Sequence, residues 1–298
     1  MREYCMKLKP VFVLVVLGFA FVQLLALANG AAFTQMIQSG ALEPVFPNPA
    51  EPANAFLLFA YVLFGAVAML LLLKYYKGIK LFLLVELFLL FASFQVLFAF
   101  FAGEPASTAL AALVAGLRLW KPATKNFLLL VVAGVVGGLL GANLGLFPAL
   151  LLAVLLAFYD VVAVFFTKHM VVLAKGFAER GGSFSVTFAL PGLSRARPQK
   201  EAGERAGKVF AERESLEVGT GDFVIPALVT ASACGADSSL GVFVDGLWVG
   251  GAGVASAVGV VAGAVLLLAL IQKRRGYFPA LPPLVFCSLA ALAAYALF

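Results

Sequence analysis

Long apolar runs separated by short polar connections dominate the chain. The runs are Val11–Ala28, Ala55–Leu73, Leu81–Ala102, Ala106–Trp120, Phe127–Leu144, Phe147–Phe166, Asp222–Leu240, Val242–Ile271 and Ala280–Phe298. A helix rising 1.5 Å per residue needs roughly 20 residues to cross a ~30 Å hydrocarbon core, and most runs approach that length. They are too long and too uniformly apolar for the ~10-residue alternating strands of a membrane barrel. The pattern predicts an all-α polytopic membrane protein with nine transmembrane helices. The fourth run is short and carries Arg118 near its end. The eighth is long and Gly-rich, which predicts that part of it is loop or re-entrant.

The connections divide the chain into a six-helix portion (1–166), a cytoplasmic loop (167–218) and a three-helix portion (219–298). Within the loop, Arg195 to Glu217 is dense in Lys, Arg and Glu and reads as mobile and solvated. Ahead of it, Ser183 to Leu190 alternates polar and apolar residues and ends in Pro191-Gly192, the pattern of a short strand with a turn. The first run has a basic start and Ala26-Leu27-Ala28 at its end, as a signal peptide has. Its apolar stretch is longer than a signal core, so it is read as a retained first span.

Composition agrees. Of 298 residues, 63% are hydrophobic and 12% charged, which excludes a soluble domain. The net charge of +6 does not point to nucleic acid, because the basic residues are scattered among connections and form no fold-scale basic face. Their placement is informative instead. Arg2, Lys7 and Lys9 precede the first run, Lys74, Lys77 and Lys80 occupy the second connection, and Arg118, Lys121 and Lys125 the fourth. Nine more lie between Lys168 and Arg213, and Lys273, Arg274 and Arg275 fill the eighth connection, which accounts for all 21. The odd-numbered connections hold Glu43, Glu51, Glu104, Asp237 and Asp245 and no basic residue. The positive-inside rule then predicts a cytoplasmic N-terminus and an external C-terminus. A cytoplasmic membrane surface is the natural partner of the basic connections.

An ionisable residue inside a span is costly and needs a reason to be there. Glu86, Asp160 and Asp222 qualify. Asp160 lies about eight residues, or ~12 Å of helix, from the cytoplasmic Lys168. Asp222 opens a span that starts from the cytoplasm, so the two reach comparable depth if helix continues a turn or so ahead of Asp222. Two carboxylates in a low-dielectric site do not readily both ionise, so the pair holds a single proton. One can then take a proton from water while the other donates one to a scissile carbonyl, the chemistry of an aspartic protease. Glycines ahead of Asp222 let an extended substrate backbone approach closely. Paired intramembrane carboxylates serve proton- or cation-coupled transporters and channels equally well, so the chemistry alone leaves both classes open.

The motifs narrow the choice. Tyr159-Asp160 in the sixth run, Gly219-Thr220-Gly221-Asp222 opening the seventh and Pro279-Ala280-Leu281 opening the ninth resemble the presenilin and signal peptide peptidase family of intramembrane aspartyl proteases. Pro-Ala-Leu also occurs at Pro148 and Pro226, but only the copy at Pro279 opens a span from the cytoplasmic side. With compact loops and no Asn-x-Ser/Thr sequon, the chain looks like an archaeal presenilin homologue of the cell membrane. The resemblance implies that Asp160 and Asp222 are the catalytic pair and that no cofactor is used. It implies that Pro279, Ala280 and Leu281 shape the site and help hold substrate, and that Gly219 and Gly221 line it. It further implies that an unwound substrate pairs as a strand beside Ser183–Leu190 or Leu216-Glu217-Val218. The basic sixth loop matches the presenilin sense of insertion, which implies single-span substrates with an external N-terminus. No partner-binding segment is recognised, so activity from the single polypeptide is expected, with oligomerisation left open.

Other polar residues have plainer readings. Glu86 is expected to be structural, facing a cavity or a polar neighbour such as Gln95. Asp237 and Asp245 read as solvated, and His169 as a loop side chain with no visible metal partner. Cys5, Cys234 and Cys287 are far apart and odd in number, so no disulfide framework or zinc site is expected. Neither HExxH nor a Ser/His pair within spans is present, which disfavours metallo- and serine proteases.

Overall fold

The computed structural model describes residues 2–76, 78, 80–167, 184–189, 215–236, 241–244, 247–273 and 278–297. Nine α-helices occur among them: α1 (Arg2–Gln38), α2 (Ala53–Tyr75), α3 (Lys80–Ala99), α4 (Ala106–Trp120), α5 (Lys125–Ala142), α6 (Leu146–Val161), α7 (Thr220–Ala236), α8 (Gly251–Lys273) and α9 (Leu281–Tyr295). A π turn, Val162–Phe166, prolongs α6. Six stretches are long and apolar enough to cross a membrane: Pro10–Gln38, Ala53–Tyr75, Lys80–Ala99, Pro122–Ala142, Leu146–Phe166 and Gly251–Gln272. The helices α4, α7 and α9 are apolar but shorter, at 15, 17 and 15 residues.

Four strands modify the all-α expectation: β1 (Ser185–Ala189) pairs antiparallel with β2 (Ser215–Gly219), and β3 (Gly241–Val244) with β4 (Leu247–Gly250). The eighth run, expected to be part loop or re-entrant, instead begins in the strands β3 and β4 and becomes helical at Gly251. The segment ahead of Asp222 is strand rather than a further helical turn, and Ser215 to Glu217 belong to β2 rather than to a solvated loop. The first helix also reaches ten residues beyond Ala28, to Gln38. The expectations for 190–214 of the sixth loop, for His169 and for Asp237 and Asp245 lie outside the described residues.

The architecture is built around α5, whose side chains are buried from Leu128 to Val135. Gly134, Gly137, Gly138 and Gly141 give it two overlapping small-xxx-small faces, which let helix backbones approach closely in lipid. A Cβ at Gly137 would stand 2.5 Å from the Ala227 Cβ of α7, and one at Gly134 2.6 Å from the Leu25 Cβ of α1. The same device joins α8 to α9, where a Cβ at Gly259 would meet the Cys287 carbonyl at 2.5 Å. Buried hydroxyls reinforce the C-terminal helices: Thr230 Oγ1 lies 3.0 Å from Ser256 Oγ, which lies 2.9 Å from Ser288 Oγ. In contrast α2 is peripheral and packs on α6, with Phe59 edge-on to Tyr159. Large apolar side chains on outward faces, such as Phe64, Phe88, Phe147 and Phe286, are solvated by lipid in such a protein.

The period-two pattern around Val186 is realised in β1. Val186 and Phe188 turn inward with Val218, against Val15, Phe19 and Phe223 of α1 and α7. The Phe19 and Phe223 rings stack at 4.3 Å, and a Cβ at Gly18 would stand 2.9 Å from Phe188 Cζ. The strand pair is thereby bolted to the first turns of α7, beside Asp222.

Candidate active site

Asp160 is one residue from the end of the α-helical part of α6, and it is buried. Its Oδ2 accepts a 3.2 Å hydrogen bond from the backbone N–H of Leu281. Leu281 is the first residue of α9, where N–H groups have no intrahelical acceptor and the helix dipole favours negative charge. Pro282 follows at a position where the missing N–H costs the helix nothing. Pro279 is buried, while Ala280 is partly exposed. The third Pro-Ala-Leu copy thus meets Asp160 directly. Of the others, Pro148 lies in the first turn of α6 and Pro226 inside α7.

Asp222 is the third residue of α7 and is half-buried. The helix it opens packs against α6, which bears Asp160. A Cβ at Gly219 would sit 3.3 Å from Asp222 Oδ2, whereas one at Gly221 would meet nothing within 4 Å. The first glycine therefore shapes the carboxylate's seat, and the second faces open space beside it. Pro226 has no N–H, which leaves the carbonyl of Asp222, four residues earlier, without its helical donor.

The strand pair has one blocked edge. Asn126, in the first turn of α5, donates from Nδ2 to the Thr187 carbonyl at 2.7 Å and accepts from the Thr187 N–H at Oδ1, at 3.2 Å. Thr187 therefore points both main-chain groups away from β2, and it stands opposite Glu217 in the register. In an antiparallel pair such opposed residues both face outward, so Glu217 and Gly219 direct their main-chain groups to the far edge of β2. That edge ends at Gly219, three residues before Asp222. At the turn between the pair and α7, the N–H and hydroxyl of Thr220 both donate to the Phe184 carbonyl, each at 3.1 Å. Phe184 holds a left-handed φ of 62° there, a backbone state a non-glycine residue rarely adopts.

Asn126, Thr220 and Phe184 were not singled out in the sequence. Asn126 follows Lys125 at the head of an apolar run, where a polar residue reads as an ordinary helix start; only its partner 61 positions away reveals the contact. Glu86 is structural, but its partner is Arg118, at 2.8 Å, and not Gln95. Gln95 instead bonds Glu104 and Thr108 at the other end of α3 and α4. A pairing between the third and fourth runs explains why the latter carries an arginine. Among the described residues, no group of three His, Cys, Asp or Glu side chains gathers as a metal site.

Residues 15–295 match the family described as signal-peptide peptidase, presenilin aspartyl protease. Two solved structures of a presenilin family intramembrane aspartate protease share the fold. One, in space group C222, superposes with a TM-score of 0.61 at 21% identity over 95% of this chain and 96% of that one. The other, in space group P2, gives 0.62 at 20% identity over the same shares. Among curated proteins none matches. The helical membrane architecture, the hold of the first turn of α9 on Asp160, and a match over nearly the whole length lead to one assignment: the chain belongs to the signal-peptide peptidase and presenilin family of aspartyl proteases.

Proposed function

We propose that this protein is an intramembrane endopeptidase in which Asp160 and Asp222 activate a water molecule to cleave transmembrane segments of other membrane proteins. What supports the reading is the packing of α6, which bears Asp160, on α7, which bears Asp222, with Asp160 held by the first turn of α9. One carboxylate removes a proton from water as its oxygen attacks the scissile carbonyl, and the other protonates the carbonyl oxygen. In the resulting tetrahedral diol the amide nitrogen receives a proton, the C–N bond breaks, and a carboxylic acid and an amine leave. Leu281 N–H keeps Asp160 oriented, and the glycine at 221 leaves room for the substrate main chain beside Asp222.

An extended substrate pairs with the outward edge of β2, where Glu217 offers its N–H and carbonyl. Main-chain pairing of this kind tolerates many side chains, which suits a protease acting on varied spans. The nine helices span the membrane with the N-terminus and the basic sixth loop in the cytoplasm, so preferred substrates are single-span proteins with an external N-terminus. The single polypeptide is active without a partner subunit, in a prokaryotic cell membrane.

The deciding assay is cleavage of such a substrate by the purified protein in detergent, comparing the parent with Asp160→Asn and Asp222→Asn. Loss in both variants, with folding intact, is expected. Cleavage surviving in both would remove the dyad. A parent that never cuts but passes ions in liposomes would favour a conduction pathway through the same aspartates.

A further inference from the structure

We infer that Asn126 is a positioning residue that decides which edge of the strand pair receives substrate. The inference rests on the protease reading above and on strand addition at β2. An isolated antiparallel pair presents two free edges, and either can accept an extended chain. Here the β1 edge is closed at its centre, because one side-chain amide occupies both the N–H and the carbonyl of Thr187. Asn suits this position because its planar amide carries a donor and an acceptor side by side, and so mimics the edge of a neighbouring strand. A chain pairing along β1 would run on the far side of the pair from Gly219 and Asp222. A chain pairing along β2 runs past Glu217 and Gly219, where a Cβ would lie 3.3 Å from Asp222 Oδ2. The amide also ties β1 to α5, so the strand pair cannot slide along the helix that organises the fold. Register along β2, and therefore which peptide bond faces Asp222, depends on that tie.

Two variants test this. Asn126→Ala removes the amide, and Asn126→Asp keeps its shape while replacing the donor to the Thr187 carbonyl with an acceptor. An acid in the first turn of α5 complements the helix dipole, so the second variant is compatible with the fold. Each is combined with Glu217→Cys or with Thr187→Cys in an uncut Asp222→Asn background, and crosslinked to a single-span substrate carrying one cysteine near its cleavage region. In the parent, the crosslink is expected at Glu217→Cys and not at Thr187→Cys. In the Asn126 variants, a Thr187→Cys crosslink should appear. In the same variants with both aspartates intact, kcat/KM should fall about tenfold, the worth of one hydrogen bond, chiefly through KM. Product ends read by mass spectrometry should spread from a dominant position to several. A merely structural role would lower the amount of folded enzyme without moving the product ends. An unchanged crosslink and unchanged ends in both variants would overturn the inference alone. No crosslink at Glu217→Cys in the parent would remove strand addition itself, and the inference with it.

Discussion

The main-chain N–H of Leu281 and the Asp160 carboxylate, 121 positions apart in sequence, are joined by a 3.2 Å hydrogen bond that fastens the end of α6 to the start of α9. Asp160 therefore has a structural duty separable from any chemistry. Asp160→Asn retains an oxygen that accepts from Leu281, whereas Asp160→Ala leaves the buried Leu281 N–H without an acceptor, at about 1–3 kcal/mol. Both variants should be inactive. Only Asp160→Ala should melt several degrees below the parent in detergent, as read by intrinsic fluorescence.

Glu217 supplies a test of the β2 edge that spares the strand pair. Its N–H points away from β1, so Glu217→Pro removes an outward donor and leaves the β1–β2 ladder intact. The expected result is a kcat/KM reduced at least about tenfold with an unchanged melting temperature, since one or more substrate main-chain bonds are lost. Parent-like turnover would show that substrate does not pair there.

The Glu86–Arg118 pair is buried between α3 and α4, with Glu86 almost fully enclosed. Removing one partner strands the other charge, so Glu86→Ala or Arg118→Ala should each destabilise by about 3–5 kcal/mol. Replacing both by leucine should recover most of that loss, because the desolvation of both charges disappears together. A double-mutant cycle of thermal melts measures the coupling; additive losses would contradict it.

Gly137 marks the closest approach of α5 to α7. A methyl there would stand 2.5 Å from the Ala227 Cβ, so Gly137→Ala should cost about 1–3 kcal/mol and displace the helix that carries Asp222. Adding Ala227→Gly should restore part of both stability and activity. A stability unaffected by Gly137→Ala would mean that the helices can separate without cost.

Much of this was legible in the chain before folding, and the reason is the solvent. A bilayer demands long apolar runs, so the helices announced themselves, and carboxylates inside such runs stood out as exceptions. Asp160 and Asp222 stand out as acids within spans, and the Pro-Ala-Leu copy at Pro279 as the one that opens a span from the cytoplasmic side. The alternation of Val186 and Phe188 likewise survived as an inward face of β1. What was hidden depended on partners distant in sequence. Glu86, expected to face a cavity or a polar neighbour such as Gln95, does line a cavity, but its counter-ion is Arg118 on α4. Asn126 could not be distinguished from a helix start, because its meaning resides in the Thr187 main chain. The pairing of β2 with β1, by contrast, joins residues on either side of the long loop, and no local pattern reveals it.

The hydroxyl relay through Thr230, Ser256 and Ser288 has a mechanical consequence. It welds α7, α8 and α9 into one frame, and that frame holds Asp222 on one member and the N–H that grips Asp160 on another. The span that bears Asp160 is outside the weld and ends in a π turn, a weaker stretch of helix. The Leu281 N–H is thus the point at which that span is pinned to the frame, and a displacement of α6 would be felt first at the Asp160 carboxylate.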